Sequence, residues 1–485
     1  MRSLIWLRKL FSWVLGHLGW GGAARADKPP RRDDFVPLFV TRLEERRVLS
    51  TITVTGTGDD VVNDDGEVTL REAIIAANTD TSVDGSAAGS GNDEIVFDAS
   101  LAGQSITLAG NQLPTITGAN GDLTITGLGA RLLSIDGDNL SRILEVSVGA
   151  NVEVSGLTLT GGNSGNASGG AILSAGTLTI TASQIENSTA ETAGGGGGIF
   201  SNNAVLTIID TTISGNTSNG TGAGGGIYNN GGTLTVINST ISGNQVTGND
   251  FGGGIFNDGT ATITNSTIVD NTSGNVGGGI RNHIGDTLVL ENTIIAGNTG
   301  GGSADDLSDA GSGSVTANFS LIQTNSGFTL AGGSGNNITD TDPLLGSLQN
   351  NGGPTDTHAL LTGSAAINAG NDALALDPGP DGLLGTGDDV PLVNDQRSVG
   401  FGRLDGTVDI GAFEVRQLSF APFTPLVAQA GAAGLAIGDF NGDGLLDVAA
   451  AITIGSGTNN PGVFSELVKK SPKVPNCTWR GDVVC

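Results

Sequence analysis

Asp439, Asn441, Asp443 and Asp447 stand at positions 1, 3, 5 and 9 of one short acidic run, with Gly444 at position 6. Oxygen ligands at alternate positions around a glycine turn are what a hard cation needs. Ca2+ takes six to eight oxygens at about 2.3–2.6 Å, and the carbonyl of Leu445, at position 7, would add a main-chain ligand. The run reads as a calcium loop, with an acidic β-turn lacking metal as the alternative. A helix–loop–helix site carries a bidentate Glu at position 12, whereas Ala450 stands there. β-Prone runs flank the loop on both sides, so it is expected to join strands. A second acidic stretch, from Asp377 through Asp381 to Asp388 and Asp389, is dense in Pro and Gly. It reads as a solvated turn-rich loop, with calcium binding as its alternative.

The elements that would carry such sites are set by a repeat. Between Gly169 and Asn298 five phrases recur, among them GGGIFSNNAVLTIIDTTISGN and GGGIYNNGGTLTVINSTISGN. Ile172, Ile199, Ile227, Ile255 and Ile280 step by 27, 28, 28 and 25 residues; Ile213, Ile241, Ile268 and Ile294 form a second column. Asn216, Asn244, Asn271 and Asn298 form a third. Such a period marks a solenoid, whose units bury their apolar face only by stacking. Each unit holds three short β-prone runs cut by Gly and Asn, which suit left-handed turns. The expected fold is all-β: a right-handed parallel β-helix, with isoleucines stacked inside and asparagines laddered at a turn. A propeller blade would need about 40 residues, more than the period offers.

The glycine runs, such as Gly224–Gly226 and Gly252–Gly254, lack the Gly-Lys-Ser/Thr and helix of a phosphate loop, so they read as bends where no Cβ fits. Asn187, Asn238 and Asn265 open formal glycosylation sequons, but their recurrence near the repeat period makes a turn ladder the simpler cause. One helix is expected, Leu70 to Asn78. Thr69 and Glu72 form a capping box, and Leu70, Ala73, Ile74 and Ala77 line one face that would cover the open edge of the first coil.

The GGGI and TISGN phrases resemble those of bacterial surface β-helix proteins, including chlamydial polymorphic outer-membrane proteins. Val68-Thr-Leu-Arg-Glu-Ala-Ile74 resembles the CSLREA motif that opens many secreted β-helices, with Val68 where that motif has cysteine. Asn351-Gly-Gly-Pro-Thr355, Ala366-Ile-Asn-Ala-Gly370, Asp395-Gln-Arg397 and Asp409-Ile-Gly-Ala-Phe-Glu414 resemble the closing segment of the same class. Leu435 to Val448 resembles a single FG-GAP (integrin-type) repeat, which implies a calcium loop between strands. Propellers need about four to eight blades, so this segment reads as incomplete.

Charge narrows the partners. Residues 51–464 hold 7 basic residues, all Arg, and 42 acidic ones, a net of −35. Such a surface repels nucleic acid and anionic membranes and attracts cations. The N-terminus orders Arg2, Arg8 and Lys9, an apolar stretch to Trp20, and Ala24-Arg-Ala26, which reads as a signal peptide. That stretch is too short to span a bilayer, and no later run reaches about 18 apolar residues. Phe39 to Ser50, which includes Leu43-Glu-Glu-Arg-Arg-Val-Leu-Ser50, resembles an N-terminal tag of large exported bacterial proteins, so processing is expected after Ala26 or near Ser50. Cys477 and Cys485, the two cysteines, lie in the last nine residues and cannot staple the main body.

The expected organisation is a signal peptide at 1–26, an export-associated segment at 27–50, and the β-helix at 51–340. A closing segment follows at 341–416, then one FG-GAP-like calcium repeat at 417–464 and an atypical tail at 465–485 that suggests a truncated or frame-shifted end. Polysaccharide-cleaving enzymes share β-helical folds, and they require recognisable chemistry. A lyase needs a basic residue beside calcium, and a hydrolase needs paired carboxylates. Residues 169–298 hold one basic residue, Arg281, with His283 nearby, while Asp210, Asp250, Asp258, Asp270 and Asp286 share no single register. The reading is therefore a secreted or cell-surface structural or adhesion protein with calcium as its cofactor. Extracellular polysaccharide or cell-surface components are its expected partners. A polysaccharide lyase or glycoside hydrolase is the alternative. No feature specifies an oligomeric state.

Overall fold

The structure is a computed structural model. It describes residues 49–416, apart from 62–64, 192–193, 302–305, 312, 380–381, 383 and 404–405, together with the backbone of 432–438, 447–453 and 463–468. The expected signal peptide, and the expected tail beyond Val468, lie outside the described residues.

Ser50–Val54 pairs in parallel with Asp93–Phe97, and from there each strand takes as its neighbour the equivalent strand one coil further on. The result is a parallel β-solenoid of about eight turns. The 28-residue period works as expected: Ile199 pairs with Ile227, Ile227 with Ile255 and Ile255 with Ile280. All four are fully buried in one continuous core running from Ile52 to Ile322. Each contributes about 1.5–3 kcal/mol by leaving water. At the end of each regular coil a short fourth run pairs as well, Thr189–Ala190 with Thr217–Ser218 and then Gln245–Val246, so three strands per coil undercounts this block.

The second isoleucine column shifts by one residue at its end. Ile268 pairs with Ile295, while Ile294 pairs with Thr267. Successive strand residues face opposite ways, so Ile294 points out of the coil, where Leu321 and Ile410 bury it. Asn187 likewise leaves its expected group. Asp210, Asn238, Asn265 and Asn292 occupy the left-handed region at one turn, with φ of 50°, 52°, 49° and 47°. Asn187 belongs to the turn column of Gly215, Gly243 and Asp270. The glycine bends have a steric cause: a Cβ on Gly225 would stand 2.3 Å from the Gly253 oxygen, and one on Gly253 would stand 2.4 Å from that of Gly278.

The helix spans Leu70–Thr79 with both capping-box bonds made, and its buried apolar residues join the core that starts at Ile52 and Val54. After the last coil strand, Ile338–Thr339, the chain lies alongside the coils. Thr212 Oγ1 donates to the Asp356 carbonyl at 2.6 Å, Asn292 Nδ2 to the Asn371 carbonyl at 2.9 Å, and Thr240 Oγ1 to Gln396 Oε1 at 2.6 Å. This strap covers the outward face of the third-run sheet with Leu360, Ala366 and Ile410, and Val408 packs with Ile237 at the end of the second run. Farther on, Ala432–Gly438, Asp447–Thr453 and Val463–Val468 form a three-stranded antiparallel sheet.

Candidate functional site

Asp439, Asn441, Asp443 and Leu445 lie outside the described residues. Asp447 opens its strand, and its backbone pairs with Gly438. The acidic run from Asp439 thus lies between two antiparallel neighbours, and Asp447, its last expected ligand, is one member of their closing pair. The other acidic stretch engages its own backbone: Gly379 donates its N–H to Asp377 at 3.0 Å and Gly385 to Asp389 at 2.7 Å.

The side chains that converge in the described residues sit on the outer face of the first strand of each coil. Alternation turns Ile227 and Asn229 inward and Tyr228 and Asn230 outward. Stacking then builds two outward rows. One runs Phe200, Tyr228, Phe256 and Arg281; its rings meet edge to face at centroid distances of 5.0 and 4.9 Å. Such pairs add about 0.5–1.5 kcal/mol beyond burial. Arg281 lies over Phe251 at 5.2 Å and donates to Ser308 Oγ. The other row runs Asn202, Asn230 and Asp258, with Asn230 Nδ2 donating to Asn202 Oδ1 at 2.9 Å.

His283 continues the second row. Its N–H donates to the Asn257 carbonyl at 2.9 Å, which sets it one coil beyond Asp258. A turn through Gly285, at φ +89°, brings Asp286 back to the same face. His283 Nδ1 is 3.4 Å from Asp258 Oδ1 and 3.8 Å from Asp286 Oδ2, and the three donor atoms lie within 4.8 Å of one another. Asp286 Oδ2 is buried and accepts no hydrogen bond. Burial, then the Asp258 charge, pushes the Asp286 carboxyl up. Burial with Asp258 and Asp250 pushes the Tyr228 phenol up.

The structure thus joins two of the five aspartates that share no single register in the sequence. The signal was available: Asn202, Asn230, Asp258 and His283 each stand three residues after the aligned isoleucine of their coil. Recurrence of a single residue type does not show it, because the residue type at this position changes from coil to coil.

The signature residues of the closing segment have a different use. Asp395, Arg397, Asp409 and Glu414, together with Arg403, are all buried within the strap. Arg397 pairs with Asp395 and is sandwiched between Phe401 and Phe413, at 4.0 and 3.6 Å. Arg403, fully buried, donates to Asn265 Oδ1 at 3.0 Å and to the Gly411 carbonyl. His358 bonds Ser242 Oγ at 2.9 Å and the Gly346 carbonyl at 2.7 Å, and burial holds its pKa down. These groups lock the strap to the coils. Among the described residues no helix is long and apolar enough to cross a membrane. No family model, curated protein or solved structure matches the chain.

Proposed function

We propose that this chain is an exported, acidic β-helix protein that works at the cell surface or outside the cell as a structural or adhesion protein. Calcium is held in the loop of Asp439, Asn441, Asp443, Leu445 and Asp447. The observation that carries the reading is the pair of outward rows, Phe200–Tyr228–Phe256 and Asn202–Asn230–Asp258. Half-buried Phe200 and Tyr228, with Phe256 buried behind them, and amides repeated at coil spacing offer an extended polymer both apolar contact and hydrogen bonds, as solenoid binding faces do. Polysaccharide is the partner such a row suits. The antiparallel strands on either side of the acidic loop support the calcium assignment and the FG-GAP-like reading of that segment.

A second reading, a polysaccharide-active enzyme, draws on Asp258 and Asp286. Their carboxylate oxygens lie within 4.8 Å of one another, inside the roughly 5–5.5 Å separation of a retaining glycosidase pair. Against it, both lean on one imidazole rather than facing each other across a cleft. Export is tested by N-terminal sequencing of natively expressed protein and protease treatment of intact cells. The expected result is a start after Ala26 or near Ser50 and cleavage by external protease. Protein that begins at Met1 and is recovered from the cytoplasm would overturn it.

A further inference from the structure

We propose that Asp258, His283 and Asp286 form a binding site for a first-row divalent transition cation, with Zn2+ as the natural probe. The ligand set is one imidazole nitrogen and two carboxylate oxygens drawn from adjacent coils. Ca2+ and Mg2+ favour all-oxygen shells, whereas an imidazole beside carboxylates suits zinc and its neighbours. The spacing agrees. With metal–ligand bonds of about 2.0–2.2 Å, two ligands of a tetrahedral zinc stand about 3.3–3.6 Å apart. His283 Nδ1 is 3.4 Å from Asp258 Oδ1 and 3.8 Å from Asp286 Oδ2, so small side-chain movements close the site.

Two further features favour a cation there. Asp286 Oδ2 is buried without a hydrogen-bond partner, and burying a carboxylate oxygen unmatched is costly unless a proton or metal matches it. The backbone is also set in advance: the ladder bond from the His283 N–H to the Asn257 carbonyl fixes His283 beside Asp258, and the glycine turn at Gly285 fixes Asp286. Little ordering is left for metal binding to impose. Three protein ligands leave one tetrahedral corner open to water or to an anionic group of a bound partner. The site shares no residue with the loop of Asp439 to Asp447, and it does not depend on that loop binding calcium.

The test is calorimetric titration of Zn2+ into the full chain carrying Cys477→Ser and Cys485→Ser, so that tail thiols do not compete, with Ca2+ held in excess. The expected result is one equivalent bound, weakened at least about tenfold in both His283→Gln and Asp258→Asn, with far-UV circular dichroism unchanged. Because a variant can misfold, the parent is also titrated with Zn2+ while its imidazole proton resonances are followed. The chain has three histidines, and one resonance is expected to move in step with the first equivalent. No Zn2+ binding by the parent, equal affinity and stoichiometry in the variants, or an unmoved set of resonances would overturn the assignment.

Discussion

Asn298 Nδ2 donates to Asp306 Oδ1 at 2.9 Å, and that bond ends an internal ladder of amides on a carboxylate. Asn216, Asn244, Asn271 and Asn298 each donate to the next coil at 2.9 Å, and every rung is buried. An amide both donates and accepts, so it passes the chain of bonds along; an ionised carboxylate only accepts, so it stops it. The other oxygen of Asp306 takes the Thr324 N–H at 2.7 Å. A second ladder, Asn229 to Asn257 to Asn282, ends the same way on Asp309 Oδ1 at 3.0 Å.

Asn271→Ala should therefore cost more than one hydrogen bond. Asn271 Nδ2 donates to the Ile241 and Val269 carbonyls as well as to Asn298, and its Oδ1 accepts from Asn244. Buried groups left unpaired cost about 1–3 kcal/mol each, so a loss of about 2–4 kcal/mol is expected in urea unfolding. A change below about 0.5 kcal/mol would contradict the ladder's role.

The strap should loosen as pH rises. Burial pushes Glu414 up to about 8 and Asp210 up to about 7, from ordinary values of 4.5 and 3.8. The groups around them are Arg403, Asp395, Asp409 and Asp377, with Asn238 bonded to Asp210. A carboxyl with a raised folded pKa binds its proton more tightly in the folded state. Its contribution is complete below the unfolded pKa and is lost as pH rises through the folded one. His358, held low by burial, acts oppositely but only below about pH 6.5. Melting temperature should accordingly fall between about pH 6.5 and 8, and Glu414→Gln should flatten that slope. A parent whose melting temperature rises across the window, or an unchanged slope in the variant, would contradict this.

What the sequence made legible was whatever repeats. The isoleucine and asparagine columns carry one residue type at one spacing, so period alone places Ile227 over Ile255 and Asn244 over Asn271. Ile294 escaped because Ile294-Ile295 offers an isoleucine to either face, and only packing beneath Ile410 decides between them. Asp258 and His283 escaped because they share a position and not a residue type. The uses of Arg403 and Asp395 were hidden for another reason: their partners, Asn265 and the Glu414 backbone, lie far off in sequence or across the strap.

The C-terminal loop makes a separate prediction. Asp439, Asp443 and Asp447 repel one another without a cation, so calcium should order the loop and stabilise its segment. Calorimetric calcium titration of the full chain is expected to lose one binding event in the Asp439→Ala, Asp443→Ala double variant, with the β-helix melting transition unchanged. Equal heats in the two proteins would place calcium elsewhere.

Recognition without cleavage is the centre of the proposed function. The direct measurement is incubation of the full chain with a panel of extracellular polysaccharides, with and without calcium, scoring retention and new chain ends together. The expected result is retention of at least one acidic or neutral polymer, weakened by Tyr228→Ala, with no new reducing ends or unsaturated uronates. Release of such ends by catalytic amounts of protein, abolished by Asp258→Asn, would contradict it and establish the enzyme instead.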